Sequence, residues 1–303
     1  MKRIKNQPSQ RVPLSALKRE DIHTGLICLL PSLILIGVFT LYPIAHSLFL
    51  SFHKWSILSP EKPFVGFDNY IKMFRTGEFW LTLKNTALYT LGVVPVGAAA
   101  SLALALLLNR KLFCSGFFRT TYFLPVITST IAISIVWLWL YDDNNGLFNI
   151  VLRRFGISGI PWLVSSKYAL VSIMLMTIWK NAGYHMIILL AGLQSIPDTY
   201  YEAADMDGAN AWQKFRYITW PHIIPAMLFV LITNTIFTFQ AFGQIYTMTG
   251  GGPAKSTSVI VYYLYQRAFE AREMGYASAV SWVIFIILFI LTALQLKIAK
   301  RNN

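Results

Sequence analysis

The chain is poor in charge. Only 13% of its 303 residues are Asp, Glu, Lys or Arg, against 55% hydrophobic residues, where an ordinary soluble domain carries about 25% charged residues. That shortage excludes the solvated surface of a water-soluble enzyme and points to a single membrane-embedded unit. Acidic residues are scarcer still, with 13 Asp and Glu facing 26 Lys and Arg for a net charge of +13. Such an excess would serve nucleic acid if it were massed on one exposed face, but here it is scattered in short segments between apolar runs, so nucleic acid is excluded as a partner. Two cysteines are too few and too separated for a disulfide framework or a zinc site. Cys28 lies inside an apolar run and Cys114 in a short basic loop, and both read as inert.

Other chemistry is missing as well. No carboxylate pair falls inside an apolar run, and His23, His46, His53, His185 and His222 form no His-x-x-x-His pair. A catalytic metal site and a carboxylate proton relay are therefore not indicated. The histidines read as structural residues at helix ends. The stretch Gly250-Gly-Gly-Pro-Ala-Lys255-Ser256 lacks the glycine directly before lysine that a phosphate-binding loop requires, because Ala254 stands there. No cofactor is expected on this chain.

What the sequence has in abundance is long apolar runs. Gly25 to Phe52, Asn85 to Asn109, Thr120 to Tyr141, Tyr168 to Pro197 (interrupted by Lys180), Pro221 to Ala254 and Met274 to Leu296 each hold the roughly 20 apolar residues of a spanning helix. The expected fold is all-α and polytopic, with six transmembrane helices in one domain over 25–299 between short tails, 1–24 and 300–303. The first run is too long for a signal-peptide core and reads as a retained span. Pro31, Pro43, Pro95, Pro125 and Pro225 predict kinks rather than breaks. Six spans put both termini on one side. Fourteen basic residues fall on that side and eleven on the other, and the dense clusters before the first span and after the last make it the cytoplasmic side. The segments 54–84, 142–167 and 255–273 are then outside.

The loop after the fourth span carries the most information. It reads Ser195-Ile-Pro-Asp-Thr-Tyr-Tyr-Glu-Ala-Ala-Asp-Met-Asp-Gly-Ala-Asn-Ala-Trp-Gln-Lys-Phe-Arg-Tyr-Ile-Thr-Trp-Pro221. Ser195 with Asp198 three residues on has the spacing of a capping box, and Pro197 suits a first turn. A short helix should end near Gly208, where a residue without a side chain takes a left-handed turn, and a second should run from about Asn210 to Thr219. Ala203 and Ala204 keep one surface thin while Tyr200, Tyr201, Met206 and Trp212 supply adhesive area. Residue chemistry alone fits two readings: a knob that enters a cleft in another protein, or an amphipathic hairpin lying on the membrane.

Glu202-Ala203-Ala204, then Gly208 after three residues between Asp207 and Ala209, Ile218 after nine more and Pro221 after two more resembles the cytoplasmic loop signature of binding-protein-dependent ABC importer permeases. The one departure is Trp220, where that family commonly has an aliphatic residue. Phe64-Val-Gly-Phe-Asp-Asn-Tyr70, Leu190-Ala-Gly-Leu-Gln-Ser-Ile-Pro197, Thr249-Gly-Gly-Gly-Pro253 and Gly275-Tyr-Ala-Ser-Ala279 are similar to the carbohydrate-uptake branch, and among its subunits to the first permease of maltose- and glycerol-phosphate-type importers. The resemblance implies a type I permease fold in a bacterial or archaeal cytoplasmic membrane and makes 195–221 the coupling loop for a cytoplasmic ATPase dimer. It also implies a second permease subunit, an extracytoplasmic solute-binding protein, surrounding membrane lipid, and ATP and Mg held by the ATPase rather than by this chain.

Polar residues within a span are costly, so stripes at helical spacing face a cavity or a neighbouring helix. Thr177, Asn181 and Tyr184 share one face of the fourth span; Asn234, Phe237 and Thr238 lie together on the fifth, with Ala241 a turn on. Such groups suit a sugar, whose faces alternate C–H and hydroxyl, and they equally suit helix-to-helix hydrogen bonding. The family resemblance favours the substrate role for both stripes and, more weakly, for Thr130. Lys180 is the one full charge inside a span; similar permeases often carry a basic residue here, which leaves it to order the bundle or to meet a phosphate. The reading is a permease subunit, not an enzyme, for a sugar or oligosaccharide. The alternatives are glycerol 3-phosphate or its diesters on the same machinery and, from another class, an ion-driven secondary transporter, which should show intramembrane carboxylates and a repeated half.

Overall fold

The computed structural model describes residues 19–110 and 115–301; Cys114 and the tail residues 1–18 lie outside them. Among the described residues the structure is helical, with one isolated bridge between His53 and Phe64. The elements are α1 (Leu26–Ser51), α2 (Asp68–Arg75), α3 (Gly77–Leu108), α4 (Ser115–Ile127), α5 (Thr130–Leu140), α6 (Leu147–Arg154), α7 (Ala169–Gln194), α8 (Asp198–Met206), α9 (Ala211–Phe239), α10 (Gly243–Met248), α11 (Ile260–Tyr265) and α12 (Met274–Arg301). Helices α1, α3, α7, α9 and α12 are each long and apolar enough to cross a bilayer.

Three expectations change. The third span is not one helix: α4 and α5 meet at a bend of 99° around Thr128 and Ser129. The fifth stops at Phe239 instead of running to Ala254, and Gln240, Ala241 and Phe242 lead into the short α10. Both breaks lie inside charge-free runs, so absence of charge does not reveal them, although Thr128, Ser129 and Gln240 are polar. The second helix of the loop is also not separate, since residues 211–219 continue into the membrane as α9. Pro221 does not divide them because the turn before it is widened. In Phe215–Thr219 the Trp220 N–H bonds the Phe215 carbonyl five residues back, relieving the clash a proline ring makes with the preceding turn. The same device precedes Pro43, where the Tyr42 N–H reaches the Gly37 carbonyl.

α7 is the spine. It packs along α3, where the Ser101 hydroxyl donates to the Ala182 carbonyl at 3.1 Å, and its lower half joins α3 and α9 in a core of Ala98, Met186, Leu189, Leu193, Ile223 and Met227. A second core, of Tyr89, Ile133, Trp137, Ile173, Met176 and Ile245, binds α3, α5, α7 and α10 in the other half. Small residues let backbones approach closely in a membrane bundle. At Gly183 a Cβ would sit on the Tyr122 carbonyl of α4.

Residues 54–78 and 255–275 gather at the end away from the loop hairpin. Asn69 donates to the Ser51 and His53 carbonyls at 2.8 and 3.1 Å, closing the end of α1, and Asn85 holds the glycine-rich turn through the Lys255 and Ser258 carbonyls. Glu78 pairs with Lys255 and Arg267, and Glu273 with Lys72. In that turn Gly250 and Gly251 have φ of 55° and 81°, conformations that glycine adopts without a Cβ penalty. α1 is the exception to this packing: its apolar window buries none of its residues within this chain.

Replacing Gly183 by Val should push α4 from α7 and cost at least the ~1–3 kcal/mol of an overpacked core. Thermal unfolding of the detergent-solubilised protein should show a midpoint several degrees lower; an unchanged midpoint would contradict this crossing.

Candidate functional site

Two places gather the candidate residues, and both are reached by α7 and α9. The first is the hairpin of α8 and the start of α9. Gly208, with φ of 74°, turns the chain after α8 as the sequence predicts. The expected capping box is not formed: the Ser195 hydroxyl bonds the Gly192 carbonyl at 2.7 Å, ending α7 rather than starting α8, and Pro197 stands at the start of α8 without a side-chain cap. The box belongs instead to Asn210 and Gln213: Asn210 Oδ1 accepts from the Gln213 N–H at 2.9 Å and Gln213 Oε1 from the Asn210 N–H at 2.7 Å. Asn210 was legible as a cap, with glutamine three residues on.

The hairpin is fixed at its root and bare at its tip. Lys214 pairs with Asp205, the Tyr201 hydroxyl lies 2.9 Å from that of Thr219, and Ile196 is buried against the lower core. Ala204, Ala209 and Ile218 are half-buried, whereas Glu202, Ala203, Asp207, Gly208 and Pro221 are exposed. Met206, Trp212 and Tyr217 are 89%, 68% and 74% exposed. Among the described residues Glu202 makes no ion pair.

The second place is a cavity of about 580 Å³ enclosed by the two helix breaks and the middle of α7. Val126 and Thr130 come from the ends flanking the first break; Gln240, Ala241, Phe242, Gly243 and Gln244 form the second; Phe237 closes α9; and α7 supplies Met176, Thr177, Lys180, Asn181, Tyr184 and His185. The breaks meet: a Cβ on Gly243 would lie 3.6 Å from Thr130 Cγ2. Irregular backbone at membrane depth is tolerated where it lines a cavity, and residues flanking both breaks line this one.

The structure thus brings Thr130, Thr177, Lys180, Asn181, Tyr184 and Phe237 to one cavity. Asn234 and Thr238 stand apart from it. Thr238 turns its hydroxyl back to the Asn234 carbonyl at 2.7 Å, and the Asn234 amide is 1% exposed beside Gly97 with neither polar atom bonded. Three to four residues per turn put them on the side of α9 that packs on α3, while Phe237 faces the opening. Sequence reasoning missed Gln240 and Gln244, because the unbroken fifth span it assumed carries them elsewhere, and His185, which lies in mid-helix rather than at a helix end. Their signal was polarity at three and seven residues beyond Phe237.

Inside the cavity the hydroxyls are ordered. Gln244 Nε2 donates to the Tyr89 hydroxyl at 3.0 Å, and that hydroxyl is 2.7 Å from Thr177 Oγ1. Lys180 Nζ lies 3.5 Å from the Val126 carbonyl at the end of α4. Amides, hydroxyls and the exposed Phe237 ring border one space, chemistry suited to matched hydrogen bonds and ring stacking with a polyhydroxylated solute.

Comparison with known proteins bears on both places. The family described as "Binding-protein-dependent transport system inner membrane component" matches residues 93–302. The lactose transport system permease protein of Rhizobium radiobacter is 38% identical over 95% of this chain and 98% of its own length. The trehalose/maltose transport system permease protein of Thermococcus litoralis is 33% identical over 94% and 97%. Among solved structures, a chain of a bacterial ABC transporter involved in the import of the acidic polysaccharide alginate superposes with a TM-score of 0.82 at 23% identity, over 93% of this chain and 98% of that one, a likeness of fold.

Asn210→Ala should remove about 1 kcal/mol of local stability, so amide exchange over 208–216 should quicken about fivefold. Ser195→Ala should leave that exchange unchanged, and the reverse pattern would return the cap to Ser195.

Proposed function

Because this chain belongs to the binding-protein-dependent transport system inner membrane component family, and is a multi-pass transport subunit rather than an enzyme, we propose that it is one permease half of an ATP-driven importer for a saccharide. The observation that carries this reading is the placement of both sites on the same two helices. α7 lines the cavity through Thr177, Lys180, Asn181 and Tyr184 and ends at the hairpin; α9 begins in the hairpin and reaches the cavity at Phe237, in its last turn. Thirteen residues of helix separate Asn181 from Gln194, roughly 20 Å at 1.5 Å per residue.

In this reading the exposed tip, with Glu202, Met206 and Trp212, seats in a cleft of a cytoplasmic ATPase whose closure on ATP and Mg displaces the hairpin. Its root, tied by the Lys214–Asp205 pair and Tyr201, passes that displacement to α7 and α9 as rigid bodies and so opens the cavity to one side or the other. A solute-binding protein delivers the solute at the end built from 54–78 and 249–275. The uncovered face of α1 is where a second permease subunit, related by a pseudo-twofold axis, would pack, with lipid on the remainder. Both termini are then cytoplasmic. The saccharide class is supported by the relatives that carry lactose and trehalose/maltose, and by the hydroxyl, amide and aromatic lining.

Glu202→Lys and Gly208→Val should insert and assemble in the membrane yet abolish ATP-driven uptake: the first reverses a charge facing the cleft, and the second forces a β-branched residue into a left-handed turn it resists. Uptake by reconstituted vesicles carrying all subunits checks this, with ATP hydrolysis measured in parallel. Full uptake by the double variant would refute coupling through this hairpin.

A further inference from the structure

The segment joining α5 to α7 is built around one side chain and leaves an apolar face bare. Asn149 of α6 is buried; its Nδ2 donates to the Asp143 and Ile160 carbonyls at 3.1 and 3.0 Å, and its Oδ1 accepts from the Ile160 N–H and Trp162 Nε1 at 2.9 and 3.0 Å. Arg153 adds bonds to the Asn144 and Asp143 carbonyls, and Asp142 Oδ1 accepts the Asn144 and Asn145 N–H groups. Leu147, Ile150 and Val151 remain exposed on the other side of the helix. Arg154 shares that side, because Leu147, Val151 and Arg154 stand at i, i+4 and i+7, and it is exposed. Leu147 and Val151 also line a groove of about 600 Å³, together with Trp137, Tyr141, Trp162 and Leu175. The Tyr141 hydroxyl and the Trp162 N–H are already bonded, to the Ser172 carbonyl and to Asn149, so the groove offers hydrocarbon and ring surface. It is continuous with the exposed stripe Val171, Leu175 and Trp179 of α7, a helix long enough to span a bilayer. Leu175 stands six residues after the start of α7 at Ala169, roughly 9 Å along the axis at 1.5 Å per residue.

We propose that this groove is a phospholipid site: one hydrocarbon chain of an outer-leaflet phospholipid lies in it, and the lipid's phosphate is bound by Arg154. A short helix with Leu, Ile and Val on one face and arginine at its end has the chemistry of a helix that lies in the membrane interface, its apolar face sunk about 5–10 Å into the headgroup boundary. That depth matches the position of Leu175 on α7. Trp137, Tyr141 and Trp162 are the residue types that gather at this level of a bilayer. The guanidinium of Arg154 supplies the charge a phosphate diester complements, in a fork that can bond two of its oxygens. A lipid seated there clasps α6 to the outer end of α7, whose middle lines the transport cavity.

Photolabelling of the detergent-solubilised complete importer with a phosphatidylglycerol carrying a diazirine in one chain tests this. In the wild type the label should fall on residues 147–151 and on Leu175. Excess unlabelled phosphatidylglycerol should reduce it at least fivefold, whereas dioleoylglycerol, which has the chains without the phosphate, should reduce it less than twofold. Arg154→Gln, a change at an exposed position, should lower labelling there at least fivefold while the importer stays assembled on gel filtration, and Arg154→Lys should retain most of it. Absence of label from these residues in the wild type would mean that another polypeptide, such as the second permease subunit, covers the groove, and would overturn the inference. Label that both competitors displace equally, or that Arg154→Gln leaves unchanged, would make this an ordinary hydrocarbon contact and overturn it as well.

Discussion

Inside a bilayer every backbone N–H and C=O must find a partner within the protein, and each one left without costs several kcal/mol. That constraint explains where this chain is regular and where it is not. α3 runs through Pro95 without a break, and the prolines at 43 and 221 are absorbed by single widened turns. The chain abandons the helix at membrane depth around Thr128 and around Ala241, and both places open onto the same 580 Å³ cavity. The cavity is the consequence of two helix interruptions facing each other across α7.

The same economy of elements joins chemistry to movement. α7 and α9 each have one end in the hairpin and another stretch in the cavity wall, with a close-packed core of Met186, Leu189, Ile223 and Met227 between. Dense packing transmits a displacement without absorbing it, so a push on the hairpin reaches Asn181 and Phe237 with no intervening loop. The outer end is held differently. Glu78 and Glu273 share Lys72, Lys255 and Arg267 across partly exposed pairs, each worth little in water, and side-chain caps such as Asn69 and Asn85 fix the loops. A close-packed inner half and a lightly bonded outer face are what the proposed alternate opening of the cavity requires.

How much of this was legible differs by element. The spans α1, α7 and α12 follow from hydropathy because lipid imposes a length, and Gly208 followed from its place after a short helical run. The stripe Thr177, Asn181, Tyr184 was readable because three positions on an unbroken helix keep their spacing, and the structure places all three on the cavity. The stripe Asn234, Thr238 was drawn on a fifth span assumed to continue to Ala254. The helix stops at Phe239, which brings Gln240 and Gln244 to the wall beside Phe237, while Asn234, within the regular helix, lies against Gly97 of α3. Neither break carries glycine or proline at its centre and both lie in charge-free runs, so the polar residues Thr128, Ser129 and Gln240 were their local mark. The capping box at Ser195 failed because the residue was already engaged in closing α7.

The central claim is that this cavity changes sides when nucleotide is bound and hydrolysed elsewhere. A single cysteine replacing Thr130, in a background where Cys28 and Cys114 are serine, reports on it directly in oriented vesicles carrying the complete importer. The account predicts that an impermeant alkylating reagent reaches this cysteine from one side without ATP and from the opposite side when the ATPase is trapped with nucleotide. Labelling from the same side at the same rate in both states would contradict it.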